Sequence, residues 1–105
     1  MTKRNSLWEI LVPTHDNENK KWSVNWHQEW DNKVRAIAGG LTIFKPSKGQ
    51  WIADDASVFK ESMIPVRVFC TDEEIKQIAL MTLTHYIQIE VMYYQISEKA
   101  FIIKA

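Results

Sequence analysis

Arg67, Thr42, Trp51 and Glu61 supply a guanidinium, a hydroxyl, an indole and a carboxylate, a set from which a small-molecule site can be built. Arg67 would grip an anion through its planar donor fork, and Trp51 would add rigid contact area with one N–H donor. On this reading the chain is a non-catalytic binding or regulatory module for a small, anionic ligand, with no catalytic residue and no cofactor. An alternative is a small cofactor-independent enzyme in which His85 or Glu61 exchanges protons with the substrate. A third reading places Arg67 opposite Glu9 on a neighbouring strand, as an ion pair within a protein-interaction surface.

The remaining reactive side chains carry less. His15, His27 and His85 are scattered, with no H-x-x-x-H or carboxylate spacing that would hold a metal, and no metal site is expected. Cys70 ends an extended run just before a helix start, where a helix dipole can lower a thiol pKa, yet it has no obvious His or Asp partner to activate it. Asp54-Asp55 and Glu73-Glu74 read as a turn and as helix-start charges. Lys45, Lys48 and Lys60 form the one basic cluster, which a solvated hairpin explains equally well. Trp26 and Trp30 read as core, and Trp22 and Trp51 as candidates for a pocket rim.

The elements that must position these residues follow from punctuation and periodicity. Leu7 to Val12 alternates as a strand with Trp8, Ile10 and Val12 on one face, closed by Pro13. The polar stretch 14–21 reads as a loop. Asn25, with Gln28 three residues on, predicts a helix start; Trp26, Trp30, Val34 and Ile37 share its stripe, and Gly39 ends it. Leu41 to Phe44 is a second strand stopped by Pro46, with Gln50 to Ile52 extended after it. Val58 to Cys70 is a third extended segment, in which Pro65 demands an edge, a bulge or an irregular start. Thr71-Asp72-Glu73-Glu74 is a capping box with acids at the positive helix end, and Ile75, Ile78, Ala79, Thr82, Leu83 and Tyr86 form the buried stripe behind it. Val91 to Ile96 is a fourth strand, and Phe101 to Ile103 is left either as a hairpin return or as an extension.

The order β-α-β-β-α-β predicts an α+β, ferredoxin-like sandwich: one antiparallel four-stranded sheet with two helices on one face. The other face would then show Phe44, Phe69, Met92 and Tyr94 to water, which predicts a homodimer or higher oligomer. The 105 residues suit one domain, 1–105, and 46% hydrophobic content with five Trp suits a globular chain. Lys plus Arg and Asp plus Glu balance at 13 each, so no overall field draws the protein to nucleic acid or an anionic membrane. No signal-peptide pattern and no membrane-length apolar run is present, and a lone cysteine suits a soluble, cytoplasmic protein.

The run Gly39-Gly40-Leu41-Thr42, then Gly49-Gln50-Trp51, then Glu61 before an apolar strand, and Gln88 late in the last helix is similar to a group of small bacterial domains of unknown function, over about residues 30 to 95. The resemblance implies a ferredoxin-like, often self-associating domain with no activity to carry over. Relatives of the same topology are excluded by residue type. An RNA-recognition module needs stacking aromatics and basic residues on its central strands, and Phe69 alone does not supply them. A metal chaperone of this shape needs a C-x-x-C pair. An acylphosphatase-like enzyme needs Gly and Arg after the first strand, where this chain reads Pro13-Thr14-His15-Asp16-Asn17.

Overall fold

The computed structural model describes residues 4–105. Its elements run β1 (Ser6–Pro13), α1 (Val24–Ala38), β2 (Thr42–Ile43), β3 (Ser47–Ile52), β4 (Val58–Cys70), α2 (Asp72–His85) and β5 (Tyr93–Ser97). All pairings are antiparallel, in the order β2-β4-β1-β5, and β3 also pairs with β4. This is the expected α+β architecture with one change: the extended run after Pro46 is a strand of its own, β3, set off from β2 by a break, so the sheet has five.

The break follows from two prolines. Pro65 accepts a hydrogen bond from Phe44 N (2.9 Å) but has no N–H to return, so the ladder between β2 and β4 loses its reciprocal bond there. The register then slips by one residue, from Ile43↔Val66 to Ser47↔Met63, with the extra residue taken up at Lys45-Pro46. Pro65 therefore sits inside a long central strand, with its missing donor turned toward the gap between β2 and β3.

The core lies between the sheet and the helices. Ile10 and Val12 of β1 and Val66, Val68 and Cys70 of β4 are buried against Trp30 and Val34 of α1 and Ile75, Ile78 and Ala79 of α2. Helix α1 starts two residues earlier than the Asn25 cap predicts: Ser23 accepts from Trp26 N, and Gly39 closes the helix in the left-handed region at φ 89°. Helix α2 carries both bonds of the predicted capping box, Thr71 to Glu74 N and Glu74 to Thr71 N. It ends at His85, with Ile87 in the left-handed region turning the chain toward β5. Phe101 to Ile103 join no strand and are exposed.

Beyond Met63 the β3–β4 hairpin leaves the sheet as an arm. Pairing with β1 ends at Pro13↔Met63, and one last contact, Thr14 N to Ser62 O (3.3 Å), closes the edge. Trp51, Ile52, Val58 and Phe59 of the arm are exposed.

Candidate functional site

Alternation along β4 puts Phe59, Glu61, Met63 and Arg67 on the face away from the helices, and register adds Trp51, Gly49 and Thr42 to it. All four residues singled out in the sequence thus share the open face, at its two ends. Arg67 and Thr42 are direct cross-strand partners. Trp51 and Glu61 meet on the arm, where Trp51 Nε1 donates to Glu61 Oε1 at 3.1 Å. Six residues of β4 separate the two ends, about 20 Å at strand rise.

At the Arg67 end the charge is already matched. Arg67 Nε donates to Glu9 Oε1 at 3.0 Å, Tyr94 Oη donates to the other Glu9 oxygen, and the guanidinium lies 4.7 Å from the Phe44 ring centroid. The carboxylate is buried and fully engaged, as a packed ion pair on an open sheet requires.

The arm end is concave. One hollow of about 840 Å³ is lined by Trp51, Phe59, Tyr93, Met63 and Met92 together with Glu61 and Glu90, and no Lys, Arg or His borders it. A second, of about 650 Å³, lies toward the 14–21 loop and is lined by His15, Asn17, Asn19, Lys48, Gln50 and Lys60. The two share Pro13, Asn17, Phe59, Glu61 and Gln88. Gly49 stands directly opposite Glu61, and a Cβ there would come within 2.5 Å of the Met63 terminal methyl and 3.4 Å of Trp51 Nε1. The glycine of Gly49-Gln50-Trp51 thus leaves room for the indole and the methionine to lie over the strand beside Glu61. Gln88 is held by its own Nε2 donating to Tyr86 O and by Asn17 Nδ2 donating to the adjacent Ile87 O. The sequence marked Gln88 only through the resemblance; its place between the hollows depends on the turn after α2.

The histidines lie elsewhere. His85 is buried in the seam between α1 and α2, stacked on Trp26 at 4.3 Å, with Nε2 donating to Trp26 O (2.8 Å) and Nδ1 accepting from Lys33 Nζ (3.1 Å). His27 Nδ1 is hydrogen-bonded to Tyr86 Oη at 2.6 Å. Burial first, then nearby positive groups, pushes both histidines below their usual range. Trp22 belongs to this seam and not to a pocket rim: it stacks on Trp26 and meets Tyr86 edge-on. Cys70 is buried, and its thiol is pushed up to about 12 by desolvation and by the Glu74 and Asp72 charges. Burial first, and then the acids at the start of α2, disfavour the thiolate that nucleophilic chemistry requires. Among the described residues no three His, Cys, Asp or Glu side chains gather as a metal site, and no helix is long and apolar enough to cross a membrane.

No family model matches the chain, and no curated protein matches it. Solved structures do. The divalent ion tolerance protein CutA1 of Ehrlichia chaffeensis superposes with a TM-score of 0.66 at 11% identity, over 96% of this chain and 87% of that one. CutA of Archaeoglobus fulgidus, a periplasmic divalent cation tolerance protein, gives 0.67 at 11% identity, covering 93% and 87%. A phage SAM lyase in complex with S-methyl-5'-thioadenosine gives 0.68 at 7% identity, covering 93% and 84%. The fold is theirs. At these identities the likeness extends to the fold alone, and CutA1 carries the ferredoxin-like sandwich.

Proposed function

We propose that this chain binds a small, ring-bearing organic cation at the hollow formed by Trp51, Phe59 and Glu61, and that sulfonium nucleosides such as S-adenosylmethionine are the ligand class. The observation that carries the reading is the lining of the larger hollow: the exposed aromatic rings of Trp51 and Phe59 with Glu61 and Glu90, and no basic residue. Aromatic faces attract a cation through their quadrupole, an adenine stacks on the same surfaces, and an exposed carboxylate balances the charge. The volume fits a ligand of that size. That one structural neighbour is a SAM lyase holding a thioadenosine supports the choice of class. The ligand's cationic centre replaces the simple anion expected from Arg67, because Glu9 already neutralises that guanidinium.

A second reading, turnover with Glu61 as the acid–base group, is favoured by one feature. The Glu61 carboxylate is exposed, borders both hollows and is oriented by Trp51 Nε1. His85 does not compete for that role, since both its ring nitrogens are engaged in the helix seam. The exposed Phe44, Met92 and Tyr94 of the open face support self-association as a homodimer or higher oligomer, which sedimentation at tens of micromolar decides. The buried, lone Cys70 supports a reducing compartment such as the cytoplasm.

The test is a thermal-shift and calorimetric titration with S-adenosylmethionine, followed by mass spectrometry of the recovered ligand. Binding with the ligand returned intact supports the module. Loss of the ligand to thioadenosine products, abolished in Glu61→Gln, supports the enzyme. No binding of S-adenosylmethionine overturns the ligand class, even where a neutral thioadenosine binds.

A further inference from the structure

We propose that the smaller hollow is the subsite for a carboxylate on the same ligand, so that the site selects a zwitterion, with its cation against Glu61 and its anion between Lys48 and Lys60; this rests on the reading above. Lys48 pairs with Ser62 and Lys60 with Gln50, so the two lysines are diagonal neighbours on one face of the arm, close enough for both ammonium groups to reach one anion. Both line the smaller hollow. Of the two acids that also line it, Asp16 has its Oδ1 taken by the amides of Glu18 (2.9 Å) and Lys20 (2.8 Å). Glu61, the other acid of the hollow, is bonded to Trp51 on the opposite face of the strand. The ion pair described among residues 4–105 is Arg67 with Glu9, and neither lysine takes part in it.

The backbone adds a donor. Ser62 O turns toward the β1 side, where it meets Thr14, and two-residue alternation turns the N–H of Lys60 to that same side. There β1 has already ended at Pro13, so the edge of β4 is open beside the two lysines. An edge N–H beside the Lys60 ammonium adds a backbone donor that a carboxylate can accept from. The two hollows meet at Phe59, Glu61 and Gln88, so one molecule reaches both, with its sulfonium in the larger and its carboxylate in the smaller. An amino-acid-bearing sulfonium nucleoside has that pattern; a decarboxylated one does not.

Calorimetric titrations with S-adenosylmethionine, decarboxylated S-adenosylmethionine and S-methyl-5'-thioadenosine separate the parts. The expected result is that removing the ligand carboxylate weakens binding about tenfold. The double variant Lys48→Gln, Lys60→Gln is expected to lose the same factor for S-adenosylmethionine and nothing for the decarboxylated compound. Lys45→Gln, outside both hollows, controls for net charge, and thermal unfolding checks that the exposed substitutions leave the fold intact. Equal affinity for the two sulfonium compounds overturns the subsite and leaves the sulfonium site standing. Binding of S-methyl-5'-thioadenosine alone overturns both, as does the absence of any binding.

Discussion

The seam between the two helices and the arm at the far end of the sheet are built from the same residue types and use them in opposite ways. In the seam, Trp30 Nε1 donates to Thr82 Oγ1, which donates in turn to Ile78 O, and Trp26 Nε1 donates to His85 O. His85 sits among these rings with both nitrogens engaged, and His27 with its Nδ1 bonded to Tyr86 Oη. On the arm, Trp51 and Phe59 are 41% and 56% exposed, and the one bond of the indole goes to a carboxylate facing an open hollow. Aromatic area enclosed by the fold contributes stability, whereas area left at a rim, beside an exposed charge, is available to a ligand. Residue type alone does not separate the two uses; what stands across from each ring does.

Breaking the seam is expected to have the largest effect. Trp30→Ala removes a fully buried indole and orphans the Thr82 hydroxyl's acceptor role, and should cost about 3–5 kcal/mol in urea unfolding. A cost near 1 kcal/mol would show that the seam is not a packed core. Next comes the ion pair on the open face. Arg67→Ala leaves the buried Glu9 with Tyr94 alone and should cost about 1–2 kcal/mol, less than a fully buried pair because the Arg67 side chain is 40% exposed and partly screened. Arg67→Lys should recover only part of it, since lysine lacks the planar fork.

Acid sharpens the contrast without mutation. In the seam His85 Nδ1 accepts from Lys33 Nζ, which requires a neutral ring, and His27 Nδ1 is hydrogen-bonded to Tyr86 Oη beside it. The other charges facing them are mixed: Asp31 and Lys21 near His27, Glu29 near His85. Both folded-state pKa values lie below the ordinary 6.5, so between the two values the unfolded chain binds more protons than the folded one. Their contribution to stability is therefore complete above about pH 6.5 and falls as the pH drops toward the folded values. Unfolding followed from pH 8 to 5 should show this loss in the wild type and a smaller one in His85→Gln. A pH-independent midpoint over that range would remove the neutral-histidine seam.

How far the sequence disclosed these two regions depends on the range of the interactions. The Thr71–Glu74 box, the Gly39 cap and the limits Val58–Cys70 all rest on neighbours within a few residues, and each was legible. The α1 cap was not: Ser23 and Asn25 are both suitable caps, and the earlier one is the residue whose side chain receives Trp26 N while the Trp26 ring docks on His85, 59 residues away. Pro65 announced an irregularity, but its answer, a slipped register at Lys45-Pro46, required knowing which strand lay alongside. Trp22 and Trp51 looked equivalent as rim residues because only their partners tell them apart. Of the candidate site, Trp51 and Glu61 were named in the sequence only together with Arg67 and Thr42; that these two meet depends on the Gly49↔Glu61 register of the arm. That Arg67 and Thr42 occupy the other end of the same face follows from β4 running through both.

The smallest expected effect on stability belongs to the arm, and there the comparison is decided. Trp51 lies across from Phe59, touches Glu61 through one hydrogen bond and has no part in the core. Trp51→Ala should therefore change the unfolding free energy by less than about 0.5 kcal/mol, the range of surface substitutions away from structural features. If the ring serves a ligand, the same substitution should sharply reduce the thermal stabilisation that S-adenosylmethionine gives, which for a single site is about 2.7 kcal/mol at a hundredfold excess over Kd. Phe59→Ala should behave alike, and Trp51→Phe should restore much of the effect by keeping an aromatic face while dropping the bond to Glu61. A stability loss of several kcal/mol in Trp51→Ala, with or without ligand, would place the arm inside a core made with another copy of the chain. A loss that grows with dilution of the wild type would say the same, since stability drawn from association depends on protomer concentration and stability drawn from the chain's own fold does not.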